Sequence, residues 1–206
     1  MARDLSATRA FFGERAAGWD VRFPDDGPKY EHAVRELPLV AGSAVVDAGC
    51  GTGRALPYLR AAVGATGAVV AIDVTPEMLD VAGPKAAVAT APLVLADAMA
   101  LPLRAASVDA VFAAGLVPHL VDARAGLREL ARVVRAGGLL AVFHPVSRAA
   151  LAARHGHAPS DDDVLSPATL PRLVHASGWR VDALDDGAER YLAVAVRLTG
   201  HEPSGG

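Results

Sequence analysis

Ala44-Val45-Val46-Asp47-Ala48-Gly49-Cys50-Gly51-Thr52-Gly53 decides the reading of this chain. A short run of small and β-branched apolar residues ends abruptly in a glycine cluster. That pattern predicts a buried strand running into a loop. The event recurs downstream: Ala68-Val69-Val70-Ala71-Ile72 is closed by Asp73, and Pro92-Leu93-Val94-Leu95-Ala96 by Asp97. Val108–Ala113 and Leu139–Phe143 supply a fourth and a fifth strand. Helices are expected between them, at about 54–63, 76–83 and 122–135. Pro76 suits the first turn of the second. In the third, Leu127, Leu130, Ala131 and Val134 fall at helical spacing, with Arg124, Arg128, Arg132 and Arg135 expected to face away. Asp122 can cap its start, and Arg135 and Gly137 suit its end.

Strand–helix alternation implies crossover units and a mainly parallel sheet. After a polar stretch at about 153–166 comes a last helix ending near Gly178. The chain then closes with Trp179–Leu184, an Asp186-Gly187 turn and Tyr191–Leu198, where Leu192, Val194, Val196 and Leu198 alternate with period two. This hairpin adds one antiparallel strand near an edge. The expected fold is a doubly wound α/β sheet of seven strands. Ahead of it lie helical stretches at 6–20, with Ser6 as N-cap, and at 29–40, after the Pro24–Pro28 break. The expected organisation is one domain over 1–200: a helical cap at 1–40, an α/β core at 41–200, and a loose tail at 201–206.

Composition narrows the function. The chain has 206 residues, 52% hydrophobic and 21% charged, enough apolar material for a core. Its formal net charge of −3 gives no basic footprint, so nucleic acid is a poor partner. The single cysteine, Cys50, rules out an internal disulfide and a cysteine-based metal cluster, and no metal is expected. No signal peptide and no membrane span is read, so the expected location is the cytoplasm. The expected assembly is a monomer or a homodimer.

Open α/β sheets bind ligands at the C-terminal ends of their strands, where strand order reverses. The Gly49–Gly53 loop, Asp73 and Asp97 all lie just beyond a strand. Glycines let a ligand approach the backbone closely. Asp73, 24 residues after Gly49, can accept hydrogen bonds from both hydroxyls of a ribose. Asp97 can accept from an exocyclic purine amino group. The site therefore reads as one for an adenosine. The glycine spacing is G-x-G-x-G, with Arg54 where a dinucleotide fingerprint needs glycine or alanine, and no glycine-lysine pair closes a phosphate loop.

These same residues carry a family resemblance. Val45–Gly53 resembles the first motif of class I S-adenosylmethionine-dependent methyltransferases. Ile72-Asp73-Val74-Thr75-Pro76-Glu77-Met78-Leu79 resembles their second-strand motif, and Ala96-Asp97-Ala98-Met99-Ala100-Leu101-Pro102 their third. Glu129–Leu139 is similar to the helix–turn–strand segment of the small-molecule branch, with Ala136 where that branch usually has proline. The resemblance implies a Rossmann-like fold and S-adenosylmethionine as cofactor. It implies that Asp47 and the loop residues Gly49, Cys50, Gly51 and Gly53 hold the methionine portion. Asp73 would take the ribose, Asp97 with Ala98 the adenine, and Met78 would pack on both; Val74, Met99 and Leu116 complete the cofactor set.

Methyl transfer from a sulfonium needs in-line positioning, and a base only when the acceptor starts protonated. His144, in Phe143-His144-Pro145, is the first candidate, since an ordinary histidine titrates near neutrality; it can equally cap a strand end. His119, after the fourth strand, is the second, with loop packing as its alternative. His155 and His157 lie in the polar stretch. Half of the ten aromatic residues fall in the first thirty positions. Of these, Phe12, Trp19, Phe23 and Tyr30 are candidates to line an acceptor pocket under a cap, or to pack an amphipathic helix; the segment Phe11–Asp20 also resembles the family's N-terminal lid helix. The expected function is methyl transfer to a small-molecule acceptor. The alternatives are a protein that binds the cofactor without transfer, a cyclase or pericyclase on the same scaffold, and, disfavoured by the glycine spacing, a nicotinamide-dependent oxidoreductase.

Overall fold

A computed structural model describes residues 4–154 and 156–199. His155 and the tail at 201–206 lie outside the described residues. One sheet of seven strands runs through the molecule: β1 (Ala44–Ala48), β2 (Ala68–Asp73), β3 (Leu93–Leu95), β4 (Val108–Ala114), β5 (Val134–His144), β6 (Trp179–Asp186) and β7 (Tyr191–Arg197). Their spatial order is β3-β2-β1-β4-β5-β7-β6. Strands β1 to β5 pair in parallel, whereas β7 runs antiparallel to both β5 and β6. The one antiparallel strand thus sits next to an edge, as the closing hairpin implied. The order reverses between β1 and β4, so the glycine loop after β1 lies at the switch point of the sheet.

Eight α-helices accompany the strands among the described residues: α1 (Leu5–Gly13), α2 (Trp19–Arg22), α3 (Gly27–Arg35), α4 (Leu56–Val63), α5 (Pro76–Val88), α6 (Ala123–Val133), α7 (Arg148–Arg154) and α8 (Leu170–His175). Alternate residues of each central strand feed two cores. Val46, Val111 and Leu140 pack with Leu127 and Leu130 of α6, while Val45, Ala110 and Phe112 pack with α3 and α4. Trp179, fully buried, donates its indole N–H to Leu127 O at 2.9 Å and ties β6 to α6. Burial of that ring on the order of 150–250 Å² far outweighs one net hydrogen bond.

Several local expectations need correction. The first helix is not continuous over 6–20: α1 ends at Gly13, and a 3-10 turn at Ala16–Gly18 leads into α2. Its cap is Asp4, whose carboxylate accepts the Ser6 N–H at 3.0 Å. The helix after β2 does not stop at 83 but runs through Pro84 to Val88. A mid-helix proline costs about 3 kcal/mol. Met78, Ala82 and Ala86, at i, i+4 and i+8, are buried on one face and offset it.

Arg132 does not face away from α6. It pairs with Glu129 at 2.7 Å and donates to Leu101 O and Leu103 O, pinning the loop after β3. Finally, α7 occupies a segment whose helical character was not read. Its Arg148 is buried, held by Asp186 at 2.6 Å, Asp163 at 3.3 Å and Ser160 O at 2.8 Å, partners that only the fold brings together.

Candidate cofactor and acceptor site

A cavity of about 330 Å³ opens over the C-terminal ends of β1 to β5, beneath the N-terminal helices. From the β1 tip it is lined by Asp47, Gly49, Cys50 and Gly51, and from the β2 tip by Asp73, Val74 and Met78. Asp97, Ala98 and Met99 follow from the β3 tip. Leu116 and His119 come after β4, and His144 ends β5. Phe12, Trp19, Phe23 and Tyr30 cover it from the cap. All these candidate residues therefore face one space.

Gly53 does not. A side-chain carbon there would meet Leu56 Cδ1 at 2.9 Å and the Ala82 methyl at 3.2 Å, at a φ of +77°. Gly53 lies in the close packing of the loop against α4 and α5 and is not among the residues lining the cavity.

The glycine loop is held from β2. Gly49 N–H and Cys50 N–H both donate to Ile72 O, at 2.8 and 3.0 Å. Asp73 grips the same loop: its carboxylate accepts from Gly51 N–H and from Thr75 N–H, each at 2.8 Å. Burial raises the Asp73 pKa against these backbone bonds, which lower it. Asp97 makes the equivalent turn at β3, accepting Met99 N–H at 2.8 Å. In both residues oxygen lone pairs remain for a ligand.

Asp47 is different. It is 1% exposed, and neither carboxylate oxygen has a hydrogen-bond partner among the described residues. Burial, and then the neighbouring Asp73 charge, push its pKa up to about 8. A buried carboxylate without a partner costs several kcal/mol, so it implies a ligand donor or cation that the folded chain does not itself provide.

The cap is latched to the loop by groups that sequence reading did not single out. Asp20 accepts from Thr52 Oγ1 at 2.6 Å and from Lys85 Nζ at 2.7 Å, and burial, which opposes this, is outweighed in setting its pKa below the usual value. Arg54 pairs with Asp26 at 3.2 Å, donates to Phe23 O and lies 5.4 Å from the Tyr30 ring centroid. Arg54 thus ties the glycine loop to the cap. Phe12, Trp19 and Phe23 form a chain of ring contacts, with centroids 5.6 and 5.3 Å apart, and Phe12 also meets His119 edge-on at 5.0 Å.

His144 is not the near-neutral base that its residue type suggested. Burial, partly offset by its contact with Val146, and the charges of His119 and Arg154 lower its pKa to about 4. Its Nδ1 lies 3.0 Å from both the N–H and the carbonyl oxygen of Val146, so one ring nitrogen is engaged by backbone. The imidazole is neutral at physiological pH.

Residues 46–142 match the family model for a methyltransferase domain. The chain is 35% identical over 125 residues to methyltransferase GfsG of Streptomyces halstedii, covering 59% of this chain and 44% of that protein. It is 29% identical over 165 residues to O-methyltransferase cnsE of Penicillium expansum, covering 76% and 58%. A solved S-adenosylmethionine-dependent methyltransferase from Aquifex aeolicus superposes with a TM-score of 0.69 at 27% identity, covering 82% of this chain and 89% of that one. These likenesses support membership of the class I S-adenosylmethionine-dependent methyltransferases. It spans about half the length of the curated relatives it matches.

The residues of the cavity fit S-adenosylmethionine. The unpartnered Asp47 carboxylate suits its cationic amino-acid portion, Asp73 and Asp97 retain acceptor capacity for ribose and adenine, and the buried Met78 offers an apolar wall between them. Thr8, Asp26, Arg54, Val146 and Arg154 are among the cavity residues that sequence reading missed. The polar latch they partly belong to joins positions 20, 52, 54 and 85, a spacing with no local signal.

Proposed function

We propose that this chain transfers a methyl group from S-adenosylmethionine to a small-molecule acceptor, with residues 1–200 acting as one unit under the 1–40 cap. The observation that carries this reading is Asp47, a buried carboxylate without a partner in the same cavity as Asp73, Asp97 and the cap aromatics. The Penicillium relative is an O-methyltransferase, which agrees with methyl transfer. Among the described residues no helix is long and apolar enough to cross a membrane, which agrees with a cytoplasmic enzyme.

When bound, S-adenosylmethionine supplies an electrophilic methyl group. The chain's part is orientation: correct placement of the two reactants is worth about 7–11 kcal/mol. Phe12, Trp19 and Phe23 exclude water from the cavity, and the Asp20 and Arg54 contacts hold that cover against the glycine loop. His144, neutral at physiological pH, is available to receive a proton from an acceptor hydroxyl at its ring nitrogen, as a weak base.

The reading is tested with purified protein. Thermal shift with S-adenosylmethionine, S-adenosylhomocysteine and NAD comes first: the first two raise Tm and NAD does not. A shift with NAD alone overturns the assignment. An acceptor screen then looks for the mass gain of one methyl group. Saturable cofactor binding with no methylated product across the screen favours the cofactor-binding or cyclase alternatives.

A separate outcome concerns His144. Because its folded pKa of about 4 lies below the ordinary 6.5, the unfolded chain takes up this proton first as pH falls. Stability from the neutral imidazole is present above pH 6.5 and is lost as pH falls from 6.5 towards 4. The loss is on the order of 3 kcal/mol at full shift. The wild-type protein should lose more stability than His144→Gln between neutral and pH 4 in denaturant titrations. Parallel losses in the two proteins would show that the imidazole titrates normally.

A further inference from the structure

The cavity is electrically divided. Asp47, without a partner, and Asp73 and Asp97, which keep acceptor capacity, stand at the tips of β1, β2 and β3. On the β4 and β5 side the carboxylate that lines the cavity among the described residues is Asp26, whose charge reaches His144 and is already paired with Arg54 at 3.2 Å. That side carries His144 and, on α7, Arg154. Among the described residues two guanidinium groups line the cavity. Arg54 is engaged by Asp26, by Phe23 O and, at 3.9 Å, by Asp20. Arg154 makes no ion pair or hydrogen bond among the described residues, and its charge acts on His144.

The placement of Arg154 follows from helix periodicity. Arg148 and Ala152, at i and i+4, are buried against the fold, with Arg148 held by Asp186, Asp163 and Ser160 O. Leu151 and Arg154, at i and i+3, share the face that lines the cavity. The buried arginine thus anchors α7, and the second arginine is carried to the cavity on an anchored helix.

We propose that the acceptor is an anion: a ring-bearing carboxylic acid whose carboxylate is held by Arg154 while its apolar body lies among the cap aromatics. This rests on the methyl-transfer reading of the cavity and names the acceptor class within it. A cationic cofactor occupies the carboxylate side, and the acceptor's negative charge occupies the other. A guanidinium presents a planar pair of N–H donors that matches a carboxylate in a way a point charge does not. The neutral His144 leaves Arg154 as the positive charge on that side.

The test uses the full chain, with and without saturating S-adenosylhomocysteine. Naphthoate and hydroxycinnamate are titrated against their own carboxamides. Calorimetry and the emission of Trp19, which lines the cavity, report binding; Trp179 is buried in the core and gives a constant background. The acids should bind about tenfold more tightly than the amides. Arg154→Gln should erase that difference, Arg154→Lys should keep part of it, and both variants should bind S-adenosylhomocysteine as the wild type does. Equal binding of acid and amide, an acid preference that survives in Arg154→Gln, or no acid binding at millimolar concentration each overturns the proposal. Failure of the wild type to bind S-adenosylhomocysteine strikes instead at the methyl-transfer reading, because the acid–amide comparison is also made on cofactor-free protein.

Discussion

Asp73→Ala should lower the affinity for S-adenosylhomocysteine by about a hundredfold or more, measured by calorimetry. Two losses combine. The first is the ligand's: a charged acceptor for ribose hydroxyls is worth about 1.5–3 kcal/mol per hydrogen bond, and two such bonds reach a hundredfold at the low end. The second is the loop's. Asp73 accepts Gly51 N–H and Thr75 N–H at 2.8 Å, so its removal leaves two backbone donors without partners at the cavity floor. Each costs about 1–3 kcal/mol when it stays buried. Relief of the charge beside Asp47 returns part of that, so the fall in Tm should be smaller than the two donors alone would give. Asp73→Asn tests the division: it keeps the volume but turns one acceptor into a donor, and it should lose affinity nearly as far. An affinity within about threefold of wild type in Asp73→Ala would remove Asp73 from the ribose site.

The strands were legible because burial on both faces forces continuous apolar runs, and each run here ends in a residue with a clear polar or turn signal. Ile72-Asp73 and Ala96-Asp97 show how local that information is: the acid that stops the strand is also the acid in the cavity. The strand order was not legible, because pairing between runs far apart in the chain leaves no mark in any one of them. Long-range pairs stayed hidden. Arg132 reads as one of four surface arginines on a periodic helix, yet two carbonyls of the loop after β3 and Glu129 draw it inward.

Arg148 and Arg154 carry no signal in the sequence, because Asp163 and Asp186, the partners that fix the first of them, lie far along the chain. His144 shows a third limit. Residue type alone assigns it a near-neutral pKa, whereas the shift comes from burial, which no position in a linear sequence specifies. Gly53 belongs with these: spacing placed it among ligand contacts, and the packing of Leu56 and Ala82 against it gives it a structural role.

Asp47→Asn should move stability and binding in opposite directions. In the cofactor-free protein Asp47 holds its proton up to about pH 8, whereas the unfolded chain releases it near 3.8. The native state therefore binds more protons than the unfolded state across that window, and the cofactor-free protein loses stability as pH rises through it. Asparagine has no proton to lose on unfolding, so this penalty disappears, less the cost of an amide that also lacks a partner. The variant should be more stable near neutral pH by about 1–3 kcal/mol, read as a higher Tm. Binding shows the cost. A cationic ligand favours the ionised carboxylate, so wild-type binding below pH 8 should release a proton, and affinity should rise by up to about tenfold per pH unit towards that value. Calorimetry in buffers of different ionisation enthalpy measures the released proton directly. In Asp47→Asn that proton should vanish, the pH dependence should flatten, and affinity should fall by about ten- to a hundredfold. A variant that is less stable than wild type, or wild-type binding without proton release, would mean that the carboxylate has a partner in the folded chain and is not held ready for the cofactor's charge.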